Sequence, residues 1–207
     1  RKDIVQDESA VKRFLNEARA IASLDSRHTV TLHDFGVTQD GLLYYTMELL
    51  IGRPLSRIIR DESPVDHIRA ADLILQSCRS LEEAHENNIL HRDIKPDNLF
   101  VTLKKGREQL KVLDFGIAKL VGDTSMDTVT RTGMIIGTPQ YLSPEQALGN
   151  AVVPASDLYS LAIVLYEMLA GKPPFAADTP MKTMWAHIRD PMPPLSATNP
   201  KAPAFPV

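Results

Sequence analysis

The sequence predicts an α+β fold in which a small β-containing part precedes a mostly helical part, with the seam near residues 49–54. Three observations carry this. Residues 8–24 place Val11, Phe14, Leu15, Ala18, Ile21 and Ala22 at the three- and four-residue spacing of an amphipathic helix. Residues 29–36 and 42–49 are rich in β-branched, aromatic and aliphatic side chains and flank Gln39-Asp40-Gly41, whose Asp-Gly step is a strong hairpin turn signal. Beyond Gly52 and Pro54 the apolar residues recur mainly at helical spacing.

The remaining elements follow in order. Ser63-Pro64 is expected to open a helix, with Ser63 as the cap, Pro64 in the first turn and Asp66 three residues after the cap. Its apolar stripe reads as Ile68, Ala71, Leu75, Cys78 and Leu81. Residues 99–103 and 110–113 read as two short strands joined by a polar loop over 104–109. Residues 117–145 hold few periodic apolar residues and many Thr, Gly and Ser, the pattern of a long functional loop or of a disordered one. Residues 157–170 form an apolar helix with little polar face, so it is expected to be buried on most sides and to stop at Gly171. Residues 191–207 are proline-rich and read as irregular chain.

Composition excludes several functions. The 207 residues carry 23 Lys plus Arg against 26 Asp plus Glu, a net charge of −3, so nothing favours a nucleic-acid backbone as partner. The single cysteine, Cys78, excludes an internal disulfide and fits a reducing, cytoplasmic setting. No apolar run is long enough to span a membrane; the longest, 158–170, is interrupted by Ser160 and Glu167. The chain begins at Arg1 rather than Met and reads as a piece of a longer protein, whose anchor, if it has one, lies outside this segment.

The chemistry concentrates in His91-Arg92-Asp93-Ile94-Lys95-Pro96-Asp97-Asn98. Pro96 argues against a continuous helix, which puts Asp93, Lys95 and Asn98 on a loop between a helix and a strand. Asp114-Phe115-Gly116 follows the second short strand. If the two strands are antiparallel neighbours, Asn98 and Asp114 lie at the same end of the hairpin. A few oxygen ligands beside a lysine suit Mg²⁺ held jointly with phosphate. Taken singly, Asp93 and Asn98 read better as turn caps, which both residues do well.

Together these motifs resemble a eukaryotic-type serine/threonine protein kinase, most similar to the bacterial members. Residues 91–98 are similar to the catalytic loop, 114–116 to the metal-binding triplet, and Ser143-Pro144-Glu145 to the end of the activation segment. The resemblance implies a truncated two-lobe kinase fold, with residues 1–50 a partial N-lobe and 51–207 an incomplete C-lobe. It implies ATP and Mg²⁺ as cofactors and Ser/Thr hydroxyls of proteins as acceptors. Asp93 would orient the attacking hydroxyl, Lys95 would neutralise the transferred phosphoryl group, and Asn98 and Asp114 would hold Mg²⁺. Glu17, on the apolar side of its helix, needs a cationic partner if buried; the resemblance supplies an ATP-gripping strand Lys, whereas a Glu at the edge of that face would simply reach solvent. Met47 would guard the back of the adenine pocket, Glu48 to Leu50 would form the adenine-binding hinge, and Leu99 would press on the ring. Arg92 would bind a phosphate on the activation segment, with Thr130 and Thr132 as autophosphorylation sites and copies of the chain as partners. Thr138 would brace Asp93 and Lys95, Glu145 would pair with an Arg, and Asp157 would hold the catalytic-loop backbone, in addition to any helix-capping role. Ile21, Leu32, His91 and Phe115 would stack as a hydrophobic spine.

The sequence departs from this family in lacking a glycine-rich loop and a Val-Ala-x-Lys strand, both expected before residue 1, and the late Arg that would pair with Glu145. The isolated chain is therefore expected to transfer little phosphate. Two other functions compete: a non-catalytic binding or scaffold piece, and a small-molecule phosphotransferase. The intact set Asp93, Lys95, Asn98 and Asp114 speaks against the first, and the long segment ending in Ser143-Pro144-Glu145 against the second.

Overall fold

The first helix, α1 (Glu8–Ala22), buries Phe14, Ala18 and Ile21 of the predicted stripe and Ala10, which lay outside it, while Val11 and Leu15 are half-buried and Ala22 is exposed. It packs on an antiparallel hairpin of β1 (Leu32–Val37) and β2 (Leu43–Met47), paired from Leu32↔Met47 to Val37↔Leu43. Gly41 takes φ +84° in the connecting turn, a conformation open to glycine and costly for most other residues. This computed structural model describes residues 8–116 and 138–200, and Thr130 and Thr132 lie outside the described residues.

The second part is built on a three-stranded sheet in the order β3 (Gly52–Pro54), β4 (Leu99–Lys104), β5 (Arg107–Val112). The loop expected over 104–109 is a two-residue turn, Lys105-Gly106, with φ +51° and +76°. Both values suit the tight turns that match strand twist. The polar residues before Leu110 belong to the strand because their side chains are engaged: Arg69 grips Glu108 through two nitrogens at 2.7 and 2.8 Å.

Two helices follow where one was expected. Helix α2 (Leu55–Glu62) buries Leu55, Ile58 and Ile59, a stripe too short to register as periodic. Ser63 closes that helix, its N–H bonding to Ile59 O, instead of opening the next. Helix α3 (His67–Glu86) starts later, capped by the Asp66 carboxylate, which accepts the N–H groups of Ile68 and Arg69. The face of α3 also differs from the predicted one. Ala70, Leu73, Ser77, Ser80, Leu81 and Ala84 are buried, while Ile68 and Leu75 are 70% and 51% exposed. The buried serines are satisfied, Ser77 Oγ by Leu73 O and Ser80 Oγ by Thr29 Oγ1 at 2.7 Å. Small side chains let helices approach closely, which a count of large apolar residues does not register.

After the short helix α4 (Pro144–Ala147) comes α5 (Pro154–Ala170), buried on most sides as expected and ended by Gly171 at φ +84°. It packs against α3. Helices α6 (Pro180–Arg189) and α7 (Leu195–Thr198) complete the described residues; α7 adds one helical turn to a stretch expected to be irregular. Among the described residues no helix is long and apolar enough to cross a membrane.

Candidate active site

The loop between α3 and β4 holds the charged residues that the sequence singled out. Its backbone is fixed from below. Asp157, buried in the first turns of α5, accepts the N–H of His91 at 2.9 Å and of Arg92 at 2.8 Å, and contacts His85 Nε2 at 2.9 Å. Burial disfavours its charge, but the bonds from His85, His91 and Arg92 outweigh that and hold its carboxyl below the usual range. Gln146 of α4 donates to Arg92 O at 2.8 Å. Arg92 itself sits at φ +63°, a left-handed conformation that costs a non-glycine residue about 1–2 kcal/mol and persists because these bonds determine it.

His91 is packed into the core and does not face the cleft. Its ring is fully buried, 4.8 Å from the Phe115 ring, and Ile21 and Leu32 are buried in the same core. Nε2 donates to Leu113 O at 2.7 Å and Nδ1 accepts the Asp93 N–H at 3.2 Å, so both ring nitrogens are used by a neutral imidazole. Burial lowers its pKa.

Asp93, Lys95 and Asn98 converge. Lys95 Nζ lies 2.7 Å from Asp93 Oδ2, and the Asn98 amide donates to Asp93 O at 2.9 Å and to Oδ2 at 3.1 Å. One carboxylate oxygen is thus gripped twice, which fixes the orientation of Asp93. A short 3-10 turn over Pro96–Asn98 makes this reach possible. Asp114 follows β5, and the register Leu99↔Val112 with the Leu113 N–H bonded to Asn98 O at 2.8 Å puts Asn98 and Asp114 at the same hairpin end. Asp114 is exposed, takes φ +50°, and accepts the Tyr45 hydroxyl at 2.7 Å on Oδ1. Burial, then this bond, push the Tyr45 phenol up to about 12. Gly116 is required: a Cβ there would stand 3.0 Å from His91 O at a backbone φ of +29°.

The donor set fits Mg²⁺. The Asn98 amide nitrogen is committed to Asp93, which leaves its carbonyl oxygen as the atom to offer a cation. Asp114 offers a second oxygen. Two oxygen ligands of this kind match an ion that takes few protein ligands and completes its shell with water and phosphate.

The other predicted residues fall around this centre. Thr138 lines the same small cleft as Asp93 and Lys95, together with Tyr141 and Leu142. Glu145 accepts the Ser156 hydroxyl; burial opposes its charge, but this bond and those from its own backbone and Ser143 lower its pKa. Glu17 is half-buried, which raises its pKa, and the positive charge of Arg92 acts against that rise. Met47 is 41% exposed at the end of β2, and Leu50 is half-buried beyond it. Glu48 accepts the Thr31 N–H at 2.9 Å and Lys111 Nζ at 2.6 Å through Oε1. Leu99 requires correction as a ligand contact. It is fully buried in the core, because alternation along β4 turns Leu99 and Val101 inward and leaves Phe100 and Thr102 half-buried on the other face. The sequence reading missed Lys111, although a lysine inside an apolar strand signals a buried partner. It also missed Gln146 and Tyr45, for which spacing gave no sign. A separate groove of about 410 Å³, lined by Val11, Lys12 and Leu15 of α1 and Val37 at the end of β1 among others, contains none of these residues.

Comparison with known proteins shows the family of the chain. A family profile described as the protein kinase domain matches residues 1–205. The serine/threonine-protein kinase PknB of Mycobacterium tuberculosis is 41% identical over 198 residues, covering 94% of this chain and 31% of PknB. The serine/threonine-protein kinase PknA of the same species is 40% identical over 199 residues, covering 94% of this chain and 45% of PknA. The chain thus spans less than half the length of these relatives. The crystal structure of the M. tuberculosis PknI kinase domain superposes with a TM-score of 0.68 at 25% identity, over 97% of this chain and 69% of that one.

Proposed function

Because the chain belongs to the protein kinase family, we propose that it is part of a serine/threonine kinase that moves the γ-phosphoryl group of ATP to Ser and Thr hydroxyls of proteins. The observation that carries this reading is the convergence of Lys95 and Asn98 on one oxygen of Asp93, with Asp114 at the same hairpin end.

In this reading the acceptor hydroxyl approaches Asp93, which orients it and accepts its proton as the oxygen–phosphorus bond forms and the bond to the leaving ADP oxygen breaks. Lys95, already beside Asp93, offsets negative charge on the moving phosphoryl group. Asn98 and Asp114 hold Mg²⁺, which when bound supplies charge neutralisation at the phosphates. The hinge Glu48 to Leu50 presents backbone to adenine, with Met47 behind it. Glu17 pairs with a lysine, and Arg92 takes an activation-segment phosphate at Thr130 or Thr132. Thr138 steadies the Asp93–Lys95 pair. Glu145 and Asp157 hold the walls of the cleft through Ser156 and the His91–Arg92 backbone. Its partners are protein substrates and, for autophosphorylation, copies of itself.

The test is incubation of the full-length gene product with radiolabelled ATP, Mg²⁺ and a generic basic protein, followed by phosphoamino-acid analysis. Label on Ser or Thr that Asp93→Asn abolishes is the expected result. Transfer to small aminoglycoside or choline acceptors alone would overturn the reading, as would absence of label on any protein.

A further inference from the structure

We propose that Tyr45 is a positioning residue for the cation site, setting the orientation of the Asp114 carboxylate through its hydroxyl. This rests on the reading of Asp114 as a Mg²⁺ ligand. Three observations carry it. The backbone around Asp114 is pinned: Leu113 N–H bonds to Asn98 O, Leu113 O accepts from His91 Nε2, Phe115 is buried, and Gly116 abuts His91 O. The side chain of Asp114 is not pinned in that way. It is exposed, and its hydrogen-bond partner among the described residues is the Tyr45 hydroxyl, at 2.7 Å. Finally, Tyr45 is itself held, its ring packed against the core on β2, a strand about seventy positions earlier. The adjacent Tyr44 points to the other face of the hairpin and bonds to Asp34 instead, so the Tyr45 contact is a matter of register and not of tyrosine abundance.

The chemistry favours positioning over competition. A carboxylate has two oxygens; the phenol takes Oδ1, which turns Oδ2 into a fixed ligand for a cation while the hydroxyl stays protonated. Carboxylate ligands to metals are commonly held by such outer hydrogen bonds, and losing one typically costs ten- to a hundredfold in affinity. Among the described residues the β1–β2 hairpin therefore reaches the Asp114 carboxylate through the Tyr45 hydroxyl, tying the position of β2 to metal affinity.

The experiment is a Mn²⁺ titration of the full-length protein with a non-hydrolysable ATP analogue, free Mn²⁺ being read by electron paramagnetic resonance. Tyr45→Phe keeps the ring and removes the hydroxyl, and is expected to weaken Mn²⁺ roughly tenfold. Asp114→Asn is expected to weaken it at least as much, and adding Tyr45→Phe to Asp114→Asn to bring little further loss. Unchanged or tighter Mn²⁺ binding in Tyr45→Phe overturns the proposal while leaving Asp114 as a ligand. A full additional loss in the double variant also overturns it, since Tyr45 would then act elsewhere. If Asp114→Asn leaves Mn²⁺ affinity intact, the underlying reading of the site falls and takes this inference with it.

Discussion

Asp157 and His91, 66 positions apart, are joined by a hydrogen bond of 2.9 Å from the His91 N–H to the Asp157 carboxylate, and the same carboxylate takes the Arg92 N–H at 2.8 Å. The loop that presents Asp93 is thus suspended from a buried helix. Removing the carboxylate leaves two backbone donors and His85 without it. Asp157→Ala is expected to destabilise the protein by about 3 kcal/mol. Asp157→Asn, which keeps one acceptor oxygen, is expected to cost less. Urea denaturation of both variants checks the order; equal midpoints for wild type and Asp157→Ala would contradict it.

Asp93 and Lys95 are partly exposed, so their pair is expected to matter for chemistry and little for folding. Asp93→Asn should lower phosphoryl transfer by roughly a thousandfold while shifting stability by no more than about 1 kcal/mol. Kinetics on the full-length protein, paired with thermal unfolding, separates the two effects. A large loss of stability would mean that Asp93 is mainly structural.

Lys111 is nearly buried, and its ammonium is held by Glu48 at 2.6 Å and Thr29 O at 2.9 Å. Lys111→Met strands a partly buried Glu48 and is expected to cost about 2 kcal/mol. Lys111→Met combined with Glu48→Gln should recover part of that loss, because the orphaned charge is gone. Chemical denaturation of the single and double variants measures the coupling; strict additivity would show that the pair is not an energetic unit.

Gly52 begins β3 directly against β4, and a Cβ at this position would lie 2.1 Å from Val101 O. That obstacle is backbone and cannot swing aside. Gly52→Ala is expected to destabilise the protein by about 2 kcal/mol or more by parting β3 from β4. An unchanged unfolding midpoint would show that the strands separate freely here.

Acid should weaken the fold early. Burial lowers the pKa of His28, His91 and His187 below the ordinary 6.5. The unfolded chain therefore binds protons that the folded chain refuses, and stability falls as pH drops below about 6.5. Glu17 and Glu167, raised from 4.5 by burial, act in the opposite direction but nearer that lower value. Asp157 adds a further loss only below the ordinary carboxylate range. Urea midpoints at pH 7.5 and 5.5 should differ, with the lower pH less stable; a flat profile would contradict the three buried neutral imidazoles.

Local pattern was enough for α1, the β1–β2 hairpin, α5 with its stop at Gly171, and the placement of Asn98 and Asp114 at one hairpin end. Each of these follows from spacing, turn chemistry or strand adjacency, which act within a few residues. The order of the segments 91–98, 114–116 and 143–145 was also legible, through their resemblance to the motifs of protein kinases. What the sequence left open depended on partners distant along the chain. The buried face of α3 was misread because Ser77 and Ser80 satisfy their hydroxyls internally, and Leu99 because burial on one side of β4 is decided by what packs there. Lys111, Gln146 and Tyr45 became visible only when separate elements met. Chemistry of neighbours is written in order along the chain; the desolvation and hydrogen bonding that hold a charged cleft in shape arise between segments that only the folded state brings together.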